Sequence, residues 1–301
     1  MKRCIIYAFS GTGNTVRVAH YYETYLRATY EVIIYRICTP FDSAPDPTTA
    51  DLIGFGYPIH AFNAPEAMIR FARQLAPVNN TPTFIYETSG EGLHVNDASS
   101  VTLRKIISRK GYDVLTDRHY VMPYNMILRH TDAMVKHMVI YARTLVKINA
   151  QELMAGMREK HKAHPFLFVL SLIFRIEWLY AKIQGPAMRV DMDTCIKCNR
   201  CIRDCPVKNI SYNTDGRIVM GTACTLCVAC SFNCPVDAIS IGLLNKWKVN
   251  GQYQFDRILK DAQLPFPYIT DTTKGGYRVY RKYYREADER IARAGATLET
   301  E

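Results

Sequence analysis

Residues 3–15 read R-C-I-I-Y-A-F-S-G-T-G-N-T. An apolar run from Arg3 to Phe9 passes directly into Ser10-Gly11-Thr12-Gly13, and a helical pattern follows from Asn14. A strand that ends in a glycine-rich turn and opens a helix gathers backbone N–H groups at the positive end of the helix dipole, which makes an anion site. Glycine lets the backbone close around its ligand. The hydroxyls of Ser10, Thr12 and Thr15 and the amide of Asn14 offer further donors. No lysine follows, so the triphosphate pattern G-x-x-x-x-G-K-[ST] fails, and Val16 breaks the dinucleotide pattern G-x-G-x-x-G. Neutral donors of this kind suit a monophosphate.

The alternation continues. Strand-like runs at Glu31–Ile37, Asp51–Gly56, Pro82–Glu87 and Val114–Met122 are separated by helical patterns at Asn14–Ala28, Pro65–Leu75, Asp97–Lys110 and from Asp132 onward. This predicts an α/β domain over residues 1–150, a doubly wound parallel sheet with helices on both faces. Ligands of such sheets bind at the carboxyl ends of the strands. Two loops stand there: Gly56-Tyr57-Pro58-Ile59-His60-Ala61-Phe62-Asn63-Ala64-Pro65 and Thr88-Ser89-Gly90-Glu91-Gly92-Leu93-His94.

The turn S-G-T-G-N-T between the first strand and first helix resembles the FMN-phosphate loop of flavodoxins. The resemblance implies a flavodoxin-like domain with Ser10 to Thr15 on the phosphate. It also implies that Tyr57 to Phe62 and Thr88 to Gly92 enclose the isoalloxazine ring. Tyr57, His60 or Phe62 can then present a face that stacks on the ring. Flavodoxins are usually acidic, whereas residues 1–150 carry a formal charge of +4, and the two ring loops contain only Glu91 as a carboxylate. A less negative surrounding penalises an anionic reduced flavin less, so this FMN is expected to be less strongly reducing than a typical flavodoxin's.

Ten cysteines are present, and eight of them fall between Cys195 and Cys234. They read Cys195-x-x-Cys198-x-x-Cys201-x-x-x-Cys205-Pro206 and, 29 residues on, Cys224-x-x-Cys227-x-x-Cys230-x-x-x-Cys234-Pro235. The same offset superimposes Val207 on Val236, Ile210 on Ile239 and Ser211 on Ser240, so the stretch is an internal repeat. No secretory pattern is expected at Lys2-Arg3, which lead into only six apolar residues, and spacing of this kind then points to metal rather than disulfides. Three thiolates at this spacing wrap one iron–sulfur cube, and the fourth, beyond a proline-led turn, reaches the other. Cys195, Cys198, Cys201 and Cys234 are thereby expected on one 4Fe–4S cluster, and Cys224, Cys227, Cys230 and Cys205 on the second. Zinc takes four thiolates but has no need of two copies of a three-plus-one spacing.

The block resembles the bacterial two-cluster ferredoxin module, which implies a small ferredoxin-like α+β domain over residues 191–245. Lys197, Arg200, Arg203 and Lys208 surround the first set, whereas Asp237 is the only charged residue from Cys224 to Ile239. The basic rim is expected to dock an acidic redox partner. Cys4 and Cys38 lack metal spacing and are expected as small buried hydrophobes.

Residues 151–190 open on the basic stretch Met154–Lys162 and continue as the nine-residue apolar run Phe166–Phe174, too short to cross a bilayer. A helical linker packed between domains is expected; the alternative is an interfacial helix over 165–180 in peripheral contact with a membrane. Residues 246–301 form a C-terminal extension rich in Tyr and Arg, whose Tyr277, Tyr280, Tyr284 and Ile291 share one side of a helix and are expected to dock on the protein itself. The total formal charge of +10 is spread without long runs, which speaks against a nucleic-acid tract.

A flavodoxin-like domain followed by a two-cluster ferredoxin domain resembles the flavodoxin–ferredoxin fusion family, found largely in anaerobic bacteria and archaea. That resemblance implies cytoplasmic electron transport, with two 4Fe–4S clusters and FMN linking one-electron protein donors to a further redox partner. The alternative is an FMN-dependent reductase of a small-molecule acceptor such as a quinone, nitro compound or enone. A reductase needs a proton donor near the flavin, and His60, His94 and Tyr57 are the candidates. The sequence leaves the direction of flow and the oligomeric state open.

Overall fold

The computed structural model describes residues 1–159 and 165–300. Strand β1 (Lys2–Ala8) pairs in parallel with β2 (Tyr30–Arg36) on one side and β3 (Leu52–Pro58) on the other. Strands β4 (Thr81–Ser89) and β5 (Tyr112–Val121) extend the sheet, also in parallel. The order β2-β1-β3-β4-β5 is that of the flavodoxin-like doubly wound fold. Cys4 to Phe9 are wholly buried, as a central parallel strand covered on both faces requires, and this explains the unbroken apolar run.

Helices α1 (Asn14–Leu26) and α4 (Asp132–Met154) cover one face of the sheet, and α2 (Glu66–Gln74) and α3 (Val101–Ser108) cover the other. The helix predicted from Asp97 starts later. His94–Ala98 is a 3₁₀ turn, and the α-helix begins at Val101. The serines between them are engaged elsewhere: Ser99 Oγ donates to Glu87 (2.6 Å) and Ser100 Oγ to Asp117 (2.6 Å). Side-chain bonds of this kind compete with helix formation.

The linker is a helical hairpin, α5 (Pro165–Ile173) and α6 (Ile176–Ala187). Part of the basic stretch predicted ahead of it, residues 160–162, lies outside the described residues. No helix among the described residues is long and apolar enough to cross a membrane.

The cysteine-rich repeat follows as two matching halves. It contains β6 (Arg189–Val190), α7 (Arg200–Arg203), β7 (Ile210–Tyr212), β8 (Ile218–Met220), α8 (Ala229–Phe232) and β9 (Ile239–Ser240). β6 pairs with β9, and β7 with β8, both antiparallel.

The remaining chain returns to the first domain. Helices α9 (Phe255–Lys260) and α10 (Arg281–Arg293) pack on the outer side of α4, which is why α4 is buried nearly all round. Tyr280, Tyr284 and Ile291 are buried there. Tyr280 reaches further and donates from its hydroxyl to Gly90 O (2.6 Å) in the loop after β4.

Candidate functional site

The carboxyl ends of β1, β3, β4 and β5 open into a cavity of about 430 Å³. Four loops line it: Ser10–Thr15, Pro58–Phe62, Thr88–Glu91 and Met122–Ile127. Glu177 and Tyr180 of α6 close one side, and Leu226, Cys227 and Val228 of the second cysteine block close another.

The first loop is built by its neighbours. Arg36, at the end of β2 and in register with Ala8, donates to Ser10 O (2.9 Å) and Gly11 O (3.3 Å). In a trans peptide the N–H points opposite to the carbonyl, so the amides of Gly11 and Thr12 turn away from the guanidinium. The predicted donors are therefore backed by a cation that the sequence reading did not include. Two of them are already engaged: Asn14 Nδ2 donates to Pro123 O (2.7 Å), and Thr15 Oγ1 pairs with Thr88 Oγ1 (2.9 Å). Thr12 Oγ1 accepts from Asn125 Nδ2 (3.1 Å). Gly13 stands just behind the wall, with its N–H on Ser10 Oγ (3.2 Å).

Gly11 carries the junction with the second block. A Cβ there would lie 2.7 Å from Cys227 O and 2.9 Å from Cys227 Cβ. Only glycine permits this backbone approach.

Among the ring-face candidates, the structure separates three fates. Tyr57 is not in the cavity. β3 runs on to Pro58, so Tyr57 is still a sheet residue; it is fully buried in the layer under α2 and α3 and donates to Glu87 Oε1 (2.6 Å). Phe62 lines the cavity with its ring edge-to-face on Phe174 (4.9 Å). His60 lines it too, with its Nδ1 4.0 Å from Glu177 Oε1. A fourth aromatic was missed. Tyr124 crosses Gly90 so closely that a Cβ there would overlap its ring, stacks on His130 at 5.2 Å, and donates to Glu91 Oε2 (2.5 Å).

Gly92 and His94 are also displaced from the expected site. They line a neighbouring polar cavity of about 420 Å³ with Glu87, Arg104, Arg118 and His119. Gly92 is pressed against Tyr283, and His94 pairs with Asp97 (3.3 Å) and Glu286 (3.6 Å).

Burial sets the proton affinities at the first cavity. It pushes the Glu177 carboxyl up to about 7, helped by the negative charge of Glu66. Burial also pushes His60 down to about 4, against a backbone contact with Thr225. A neutral imidazole thus stands beside a carboxyl that shares its proton with solvent near neutrality.

The eight repeat cysteines sort into two further cavities. Cys195, Cys198, Cys201, Cys230 and Cys234 line one; Cys205, Cys224, Cys227 and again Cys230 line the other. The backbone repeats as the sequence does. Lys197, Asn199 and Lys208 have positive φ, and so do Leu226, Val228 and Asp237, each 29 residues on. These turns aim amides at sulfur: Lys197 N–H at Cys195 (3.4 Å), Asn209 N–H at Cys205 (3.3 Å), Leu226 N–H at Cys224 (3.4 Å) and Ala238 N–H at Cys234 (3.3 Å). Donors on thiolate sulfur are what a bound iron–sulfur cluster uses to tune its potential, so the donor set fits one.

Burial raises the thiol of Cys201 to about 11 and that of Cys227 to about 12. Ligation then has to displace protons. Among the described residues, no three His, Cys, Asp or Glu side chains converge tightly enough to hold one metal ion. A cube is held at its outer corners, so its thiolates need not converge on one point. Cys4 is buried in β1, but Cys38 is only half-buried, because the loop after β2 leaves the sheet to meet the first block. There Thr39 N–H donates to Pro206 O (2.9 Å) and the Cys38 thiol faces Cys205 O (3.9 Å).

No family model matches the chain, and no curated protein matches it. Solved structures do. A Streptococcus pneumonia TIGR4 flavodoxin is 19% identical, covers 52% of this chain and 99% of its own, and superimposes with a TM-score of 0.39. A flavodoxin from the domain Archaea is 12% identical, with 51% and 99% covered and a TM-score of 0.33. A flavone reductase is 13% identical, with 56% and 69% covered and a TM-score of 0.39. The fold assignment stands on the strand order, to which likenesses of this size add nothing further.

Proposed function

We propose that this chain is an electron-transfer flavo-iron–sulfur protein holding FMN in the large cavity and a 4Fe–4S cluster in each cysteine cavity. It would link one-electron protein donors to a further redox partner. One observation carries the reading: the three cavities lie in series and share walls. Cys230 lines both cysteine cavities, and Cys227 and Val228 line both the second of these and the large cavity. When bound, the clusters pass single electrons and the flavin holds one or two.

The chain's own residues do the rest. The Gly11 and Thr12 amides, backed by Arg36, would hold the phosphate; Pro58–Phe62, Ser89–Glu91 and Met122–Ile127 would enclose the ring. Leu226 to Val228, which line the junction, would keep water from it.

The test is a strictly anaerobic reductive titration of the full chain after reconstitution with iron, sulfide and FMN. One FMN and about eight irons per chain are expected, with flavin and cluster signals that exchange electrons. A chain that takes up zinc instead, or retains no flavin, overturns the proposal.

A second reading, reduction of a quinone, nitro compound or enone at the same cavity, is favoured by Glu177. A carboxyl that titrates near neutrality beside the cavity is a proton donor that the predicted candidates did not include. On this reading Glu177→Gln slows reoxidation of the reduced protein by menadione by about tenfold or more, while electron exchange between clusters and flavin is unchanged. On the carrier reading menadione reoxidation is indifferent to the substitution.

A further inference from the structure

The hairpin α5–α6 is built inside out. The only buried residue of α5 is Ser171, and those of α6 are Ala181, Gln184 and Gly185. Polar contacts seat the hairpin, beside two apolar ones, Phe174 edge-on to Phe62 and Trp178 on the core under α2 and α3. Asn63 Nδ2 donates to Ser171 O (2.7 Å), Arg175 donates to Asn63 Oδ1 (3.2 Å) and to Thr102, and Gln184 Nε2 donates to Ile241 O (2.6 Å). The outer side is the reverse. From residue 165 to residue 181 every exposed residue is apolar. Ile173 is 66% exposed, Ile176 71% and Leu179 60%, and Val169, Leu172 and Ile183 extend the same ridge.

Among the described residues, eight of the twenty exposed large hydrophobics stand between residues 166 and 183. A soluble surface scatters such residues; a continuous ridge marks an interaction face.

The rim of the ridge is cationic. Arg70 and Arg73 are exposed on α2, and Arg73 lies near enough to Arg175 to add to the lowering of its pKa that burial begins. Lys182 is tied to Glu66 (3.1 Å), and Arg189 follows the hairpin exposed. Glu177, the one acid of α6, faces the cavity and not the ridge.

Charge decides between occupants. In a two-fold dimer each copy presents the same patch, so the arginine rims would meet like charge. A bilayer with anionic headgroups complements both the apolar ridge and its basic border.

We infer that the α5–α6 ridge docks this protein on the surface of anionic membranes, with both short helices lying in the interface. The inference is independent of what fills the cavities. Seating the ridge leaves Glu177 and Tyr180, on the other side of α6, facing the large cavity.

The test is flotation of the reconstituted 301-residue chain with phosphatidylcholine vesicles, with and without phosphatidylglycerol, at physiological salt. The protein is expected to float with the anionic vesicles, and about tenfold less with phosphatidylcholine alone. Ile173→Gln with Ile176→Gln leaves charge unaltered and touches only exposed positions. It is expected to cut binding about tenfold or more, with far-ultraviolet circular dichroism and iron content unchanged. Arg70→Gln with Arg73→Gln is expected to erase the preference for anionic lipid.

Wild-type protein that stays out of the anionic vesicle fraction overturns the inference. So does a double isoleucine variant that floats as the wild type does. A wild-type dimer that the isoleucine variant dissociates would assign the ridge to a second copy and overturn it too.

Discussion

The two cysteine blocks share a spacing, a backbone and a set of amide-to-sulfur contacts, and they differ in what stands beside them. Cys198 is exposed, with Lys197 and Arg200 around it. Its counterpart Cys227 is buried against Gly11, flanked by Leu226 and Ala229. The repeat thus sets how four thiols are held, and the packing partner sets what each copy is for. On the proposed function the first block is the port for a protein partner and the second is the contact to the flavin.

The comparison breaks first at its ligands. Cys198→Ser and Cys227→Ser are each expected to lower iron from about eight to about four atoms per chain. Only Cys227→Ser is expected also to stop electron exchange with the flavin, as seen by anaerobic stopped-flow spectroscopy. Identical flavin kinetics in the two variants would erase the distinction between port and contact.

Gly11→Ala probes the junction itself. Its new Cβ meets backbone and not a flexible side chain end, so the second block has to move. A loss of about 1–3 kcal/mol in urea unfolding is expected, with weaker FMN retention. Unchanged stability would mean that the block slides on the loop at no cost.

At the other pole, Lys197→Glu with Arg200→Glu is expected to slow association with an acidic redox protein about tenfold at low salt. The difference should vanish as salt rises. A salt-independent effect would point to damage at the cluster and not to docking.

The smallest effect concerns Glu177, which stands on the second block's side of the comparison. Its folded pKa of about 7 lies above the unfolded carboxyl's value. The stabilisation linked to its proton is therefore complete below the unfolded pKa and is lost as pH rises through 7. Glu177→Gln is expected to flatten that slope, by at most about 1.4 kcal/mol per pH unit. Unfolding curves on either side of pH 7 check it, and an unaltered slope would show that another group carries it.

What could be read from sequence was local or periodic. The strand–turn–helix at Ser10–Thr15, the alternation of strands and helices, and the repeat of 29 residues are all contiguous signals. What could not be read depends on which distant segments meet. Arg36 acts on Ser10 only because β2 lies beside β1. Glu177 reaches the cavity only because the hairpin folds back.

Tyr57 went astray for a simpler reason. β3 runs two residues past its predicted end at Gly56, and alternation along a strand then sends that side chain to the opposite layer. The loop Met122–Ile127 had a usable signal, since it follows the carboxyl end of the fifth strand as the other cavity loops follow theirs. The seat of the hairpin offers polar partners, Asn63 and Thr102, and takes up only Phe174 and Trp178 of its apolar side chains, against Phe62 and the core under α2 and α3.

The wall that Leu226, Cys227 and Val228 give to the large cavity has a consequence for biogenesis. That wall exists only once the second block has taken shape, and on the proposed function that block takes shape around its cluster. Filling the cavity and maturing the block are then linked equilibria, each favouring the other by the same free energy. On the proposed function, a cell short of iron would release this chain with one side of its cofactor chamber missing. FMN measured per chain should fall with iron supply, although none of the proposed iron ligands belongs to the phosphate loop.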